Sequence, residues 1–149
     1  MPESGNTLWK APPHPQWLQA MNREGDHFHL PAVVPLDESS LIEAAQRATG
    51  LSDFGDELWR EPFAVLLQSL EEEADLTLMG RLMARSDIVL WLGARLGVVD
   101  TLKRHPEILQ QEIAAPMFIV GLPRSGTSIL FELLAQDPDV GVPLMWEAL

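Results

Sequence analysis

Met-Phe-Ile-Val-Gly-Leu-Pro-Arg-Ser-Gly-Thr-Ser, residues 117–128, is the stretch whose reading decides the fold of this chain. Met117 to Val120 form a short unbroken apolar run, the pattern of a parallel-sheet strand buried on both faces. The run breaks into Gly121-Leu122-Pro123-Arg124-Ser125-Gly126-Thr127-Ser128. That is the G-x-x-x-x-G spacing of a phosphate-cradling loop, with Thr127 where a nucleotide triphosphatase carries lysine. Ile129 to Ala135 follow at once as an amphipathic helical run. Strand, glycine-rich loop and helix, in that order, are the context such a loop requires.

The case for an anion at this place is physical. A glycine-rich turn entering a helix aims unpaired backbone N–H groups and the positive end of the helix dipole at one point. Arg124, Ser125, Thr127 and Ser128 add one fixed cation and three hydroxyls. With each charge-assisted hydrogen bond contributing roughly 1.5–3 kcal/mol, a handful holds a multiply charged group. The bland alternative is a pair of turn glycines beside a solvated Arg124. It leaves the agreement of run, spacing, hydroxyls and helix without a cause.

Phe118-Ile119-Val120-Gly121 followed by Pro123-Arg124-Ser125-Gly126-Thr127-Ser128 resembles the 5'-phosphosulfate-binding loop of sulfotransferases that use 3'-phosphoadenosine 5'-phosphosulfate (PAPS). The likeness is to the bacterial branch that writes arginine in the loop. Pro143-Leu144-Met145-Trp146-Glu147 is similar to the Pro-x-x-Trp-Glu segment of the same branch, and His105-Pro106 with the helical region before it fits more weakly. The resemblance implies that Arg124 steadies the bridging oxygen as sulfate leaves. It implies that Pro123, Arg124, Ser125, Gly126, Thr127 and Ser128 bind the cofactor, and that Trp146 and Glu147 lie near the acceptor end of the site.

Composition sets the bounds. A chain of 149 residues, 46% of them hydrophobic, suits one domain with a core. A doubly wound α/β domain needs several strand–helix repeats, and only one convincing strand is present, so the chain is expected to be an incomplete N-terminal portion. A formal charge of −12 argues against nucleic acid or an anionic membrane surface as partner. From Pro116 onward Arg124 is the single base, against Glu132, Asp137, Asp139 and Glu147, so the anion site is local. No cysteine means no disulfide framework, thiolate metal site or cysteine nucleophile. The first residues lack a basic start and an apolar signal core. The apolar stretch from Ile88 to Ala94 falls short of the ~20 residues of a membrane span, so a soluble cytoplasmic protein is expected.

Residues 1–36 hold six of the twelve prolines and read as an irregular arm, tacked to the body by Trp9, Trp17 and Phe28. His14, His27 and His29 invite a metal reading, but no third ligand of plausible spacing stands beside them, and no metal is expected. Residues 37–115 read as a helical region. Asp37-Glu38-Ser39-Ser40 caps a helix to about Thr49 with Gly50 as its stop. A second helix is expected from near Asp56 to about Ala74, with Pro62 tolerable in a first turn, and Phe63, Leu66, Leu67 and Leu70 at helical spacing. From Asp75 to Arg104, Leu78, Leu82, Val89, Leu92, Leu96, Val99 and Leu102 track one face of one long helix, or of two meeting near Ser86. Arg81, Arg85, Arg95, Lys103 and Arg104 read as solvated, a second reading having one or two reach the cofactor or acceptor. Residues 116–149 begin the α/β domain, a P-loop-like parallel sheet, with the helix after the loop ending near Gln136, a turn at Asp137-Pro138-Asp139, and Val140 to Leu144 as a second strand.

The expectation is therefore the cofactor-loop half of a PAPS-dependent sulfotransferase acting on a small-molecule hydroxyl or amine. Sulfuryl transfer to an alcohol needs a base as well as stabilisation of the leaving phosphate. By the resemblance that base is a histidine downstream of the loop, with an arginine and a serine further on for the 3'-phosphate. His14, His27, His29 and His105 all precede the loop, so the chain is expected to bind cofactor weakly and turn over poorly or not at all. Exposed apolar surface on a part-domain favours a homo-oligomer. Two rivals stand beside this reading. One is a P-loop kinase or nucleotide triphosphatase, against which Thr127 counts; the other is a non-enzymatic helical interaction module with a vestigial loop.

Overall fold

The computed structural model describes residues 12–122 and 125–143. Two compact units divide the chain, Met1–Thr101 and Leu102–Leu149. The first is helical, with α1 (Gln16–Gly25), α2 (Leu30–Val33), α3 (Glu38–Thr49) and α4 (Arg60–Glu72), and it takes most of α5 (Leu78–Arg104).

Local chemistry sets the ends of these helices. Asp37 caps α3, its carboxylate accepting from Ser40 N at 2.9 Å and from the Ser39 hydroxyl at 2.5 Å. Gly50 ends the helix in the left-handed region at φ 72°, donating to Gln46 O at 2.8 Å. In α4, Pro62 takes the third helical position, inside the first turn where its missing N–H has no intrahelical partner to lose. α5 runs unbroken for 27 residues through Ser86, whose hydroxyl donates to Leu82 O at 2.9 Å. Such a bond back to the carbonyl one turn earlier can bend a helix but does not end it, and α5 is a single helix there.

Leu41 and Ala45 of α3, Phe54 of the following loop, Phe63 and Leu67 of α4, and Ile88, Leu92 and Leu96 of α5 make the core. Full burial of a leucine such as Leu41 or Leu96 contributes roughly 1.5–3 kcal/mol, so this cluster is what holds the unit. The expected stripes are corrected in part. Leu66 and Leu82 are exposed, while Arg81 is buried in the place of an apolar residue.

Over its described residues, 12–36, the arm is not irregular but largely helical. Pro12, Pro13 and Pro15 precede α1, with Pro15 at its N-cap, and Pro31 sits in the first turn of α2, so the prolines frame helices and do not break them. Trp17 and Phe28 stay exposed. The arm is held by buried Val34 and Leu36 and by Asn22, whose side-chain oxygen accepts from Met79 N at 3.2 Å.

In the second unit a 3₁₀ turn (Pro106–Gln110) is followed by irregular chain and then by α6 (Thr127–Leu134). A turn at Asp137 to Val140 ends it, with Val140 N donating to Asp137 O at 3.1 Å. Met117 to Val120 carry no regular structure, and neither do Val140 to Pro143. A strand exists only as part of a hydrogen-bonded ladder, and among the described residues there is none. No described residue of this unit is buried.

Candidate functional site

The loop between Val120 and α6 is organised by two glycines that are needed for different reasons. Gly121 lies where a β-carbon would stand 2.6 Å from Ser125 Oγ and 2.9 Å from the Thr127 γ-methyl, closer than packed atoms approach. The absence of a side chain lets the backbone and the hydroxyl-bearing residues close on one another. Gly126 has open space around it but takes φ 96°, a left-handed conformation that a β-carbon penalises. Between them Ser125 N donates to Leu122 O at 3.1 Å, which closes the turn.

Gly126 is the N-cap of α6 and brings no side chain to the helix end. The first bond of the helix runs from Leu130 N to Gly126 O at 3.1 Å. The amides of Gly126, Thr127, Ser128 and Ile129 therefore belong to the turn that a helix leaves without intrahelical partners. Beside it an open depression of about 370 Å³ is lined by Ile119, Thr127, Ser128, Phe131 and Glu132. This arrangement offers donors and a positive dipole end to an anion.

Of the residues expected at the site, Ser125, Gly126, Thr127 and Ser128 are brought together at this helix start. Pro123, Arg124, Trp146 and Glu147 lie outside the described residues. Ile119, Phe131 and Glu132 also line the depression, although the loop motif does not mark them as site residues. Ser128 and Glu132 are four apart on α6, and that spacing is the signal that puts both on one face. A carboxylate here opposes anion binding, so the cradle is of mixed charge.

Three arginines of α5 are not solvated spares. Arg81 donates from Nε to Val34 O at 3.0 Å and pairs with Glu71. Arg85 donates to Pro35 O and, at 3.3 Å, to Ser40 O. Arg95 donates to Phe54 O at 2.7 Å and Asp56 O at 3.1 Å. Three guanidinium groups of one helix thus satisfy backbone carbonyls of the connecting segments, which explains them without cofactor. Lys103 and Arg104 have interactions of their own.

Among the described residues no group of three or more His, Asp or Glu side chains could hold a metal ion, and no helix is long and apolar enough to cross a membrane. His105 Nδ1 lies 3.1 Å from Glu107 Oε1.

With this geometry in view, the comparison with protein families gives one finding. The model of the sulfotransferase family matches residues 116–149, the span that holds the apolar run, the loop and α6. That segment is a sulfotransferase-family match, and it supports a transferase of that type. No curated protein and no solved structure matches the chain.

Proposed function

We propose that this chain supplies the 5'-phosphosulfate site of a sulfotransferase that moves a sulfuryl group from PAPS to a hydroxyl or amine of a small-molecule acceptor. The observation that carries the reading is the loop built on Gly121 and Gly126, at the start of an uncapped helix, inside the segment that matches the family. The first-turn amides of α6 and the hydroxyls of Ser125, Thr127 and Ser128 would hold the 5'-phosphate. Arg124 would meet the charge that develops on the bridging oxygen as its bond to sulfur breaks. Trp146 and Glu147 would lie towards the acceptor. In the same reading Met117 to Val120 is one strand of a P-loop-like parallel sheet. Phe118 and Val120 are 81% and 91% exposed, the state of an apolar run without its ladder. A chain free of cysteine suits a reducing, cytoplasmic setting.

Calorimetric titration of the chain with adenosine 3',5'-bisphosphate and, separately, with ATP–Mg²⁺ tests the reading. Bisphosphate binding is expected, and Arg124→Ala should weaken it roughly tenfold or more, the worth of a charge-assisted contact. Binding of ATP–Mg²⁺ alone would move the assignment to a P-loop kinase. Binding of neither would leave a helical interaction module with a vestigial loop.

A further inference from the structure

Residues 12–36 are docked on the helical unit by little buried surface. Gly25, Val34 and Leu36 are their buried positions, and neither Val34 nor Leu36 belongs to the core cluster of α3, α4 and α5. Trp17, Met21, Phe28 and Val33 stay exposed. With ten and four residues, α1 and α2 are too short to persist without a support. Few buried apolar contacts mark the parts of a fold that open below the free energy of global unfolding.

The support is one short stretch of α5. Asn22 Oδ1 accepts from Met79 N at 3.2 Å, so a side chain of α1 caps the first turn of α5. Gly25 approaches so closely that a β-carbon on it would stand 2.7 Å from Leu78 Cβ. Arg81 Nε donates to Val34 O at 3.0 Å, and Arg85 donates to Pro35 O. These four partners all fall between Leu78 and Arg85, the opening turns of α5, whereas the helix gives Ile88, Leu92 and Leu96 to the core. Arg81 makes a second connection, because the same buried guanidinium holds Glu71 of α4. With the arm lifted away, solvation and screening weaken that ion pair. Docking of the arm and pairing of α4 with α5 therefore favour each other, and such a coupling is reciprocal. We infer that residues 12–36 are a strap that leaves the helical unit as one piece, loosening the first turn of α5 as it goes, and that Arg81 is the latch that couples the strap to the α4–α5 ion pair.

Native-state hydrogen exchange on the full chain, in low and rising urea, tests both parts. The amides of Met21 in α1, of Val34, bonded to Leu30 O, and of Arg81, bonded to Thr77 O, should exchange through one opening with a shallow urea dependence. They should exchange roughly tenfold or more faster than the amides of Leu92 and Leu96 in the core. Ala45→Gly weakens the core whether or not the strap is docked, so it should speed Leu92 and Leu96 severalfold and leave the strap amides unchanged. Glu71→Gln alters the partner of Arg81 and should speed Met21 and Val34 severalfold. Strap amides that share the rates and urea slope of Leu92 and Leu96, or that speed up with Ala45→Gly, overturn the strap. Met21 and Val34 opening with different urea slopes overturn its leaving as one piece. Indifference of both to Glu71→Gln overturns the latch.

Discussion

Gly121 is packed against Ser125 so closely that a β-carbon added to it would lie 2.6 Å from the Ser125 hydroxyl oxygen. The Thr127 γ-methyl at 2.9 Å closes the other side, and as a β-branched group on the first turn of α6 it has little freedom to turn away. Gly121→Ala therefore pushes apart the two hydroxyl-bearing residues that the proposed anion site depends on. Overpacking of this kind costs about 1–3 kcal/mol. Titration should show bisphosphate affinity down about tenfold or more. The thermal melt of the helical unit should not move, since position 121 is no part of its core. Unchanged affinity would mean that the close approach at Gly121 does not shape the site.

Gly126 makes a different demand, because its surroundings are open and only its φ of 96° is restrictive. Substitution there should follow the cost of the left-handed region and not side-chain volume. Asn should retain most bisphosphate binding, Ala should lose more at about 1–2 kcal/mol, and Val should be worst. A series of titrations giving that order supports a conformational role. An order that follows size would point to a steric one.

Glu132 shares the depression with Thr127 and Ser128, and its charge opposes any anion held at the start of α6. Glu132→Gln keeps the shape and removes that opposition. Bisphosphate should bind roughly threefold more tightly at low ionic strength, with the gain fading as salt is added. A gain that ignores salt would assign the effect to something other than charge.

How much of this was legible in the sequence depended on whether the deciding interaction was local. Asp37, Gly50 and Pro62 act within a few residues of themselves, and the limits of α3 and the place of Pro62 in a first turn follow from them, although α4 begins at Arg60 and not near Asp56. The glycines of the loop were equally readable, although the reason for Gly121, contact with Ser125 and Thr127, shows only in three dimensions. α5 was harder. With apolar residues on two faces its periodicity does not say which face is buried, and Leu82, on the expected stripe, is exposed. Arg81, Arg85 and Arg95 looked solvated because their partners are backbone carbonyls some 40 or more positions away. A count of prolines does not separate a loop from a helix start, because Pro15 and Pro31 sit where proline favours the helix it would break from inside.

Arg81 grips Glu71 with both ends of its guanidinium, Nη1 to Oε2 at 2.8 Å and Nη2 to Oε1 at 2.5 Å. The Arg81 side chain is 5% exposed and that of Glu71 33%. The hydrogen bond from Arg81 is the main cause that holds the Glu71 carboxyl below its ordinary value of 4.5, against the opposing effect of burial. The folded chain therefore takes up this proton less readily than the unfolded chain does. The stabilisation is complete above about pH 4.5 and is lost as the pH falls through the lowered value. Glu71→Gln should destabilise the helical unit by about 2–3 kcal/mol at pH 7, because a buried guanidinium loses its counter-charge. Asp37, lowered chiefly by the Ser39 hydroxyl, contributes to the same acid limb, so the variant should flatten that limb without abolishing it. Urea unfolding followed by circular dichroism at pH 7 and in steps below pH 4.5 reads both effects. The gap between wild type and Glu71→Gln should narrow as the acid limb is descended. A gap that stays constant would show that packing, and not the ion pair, sets the cost.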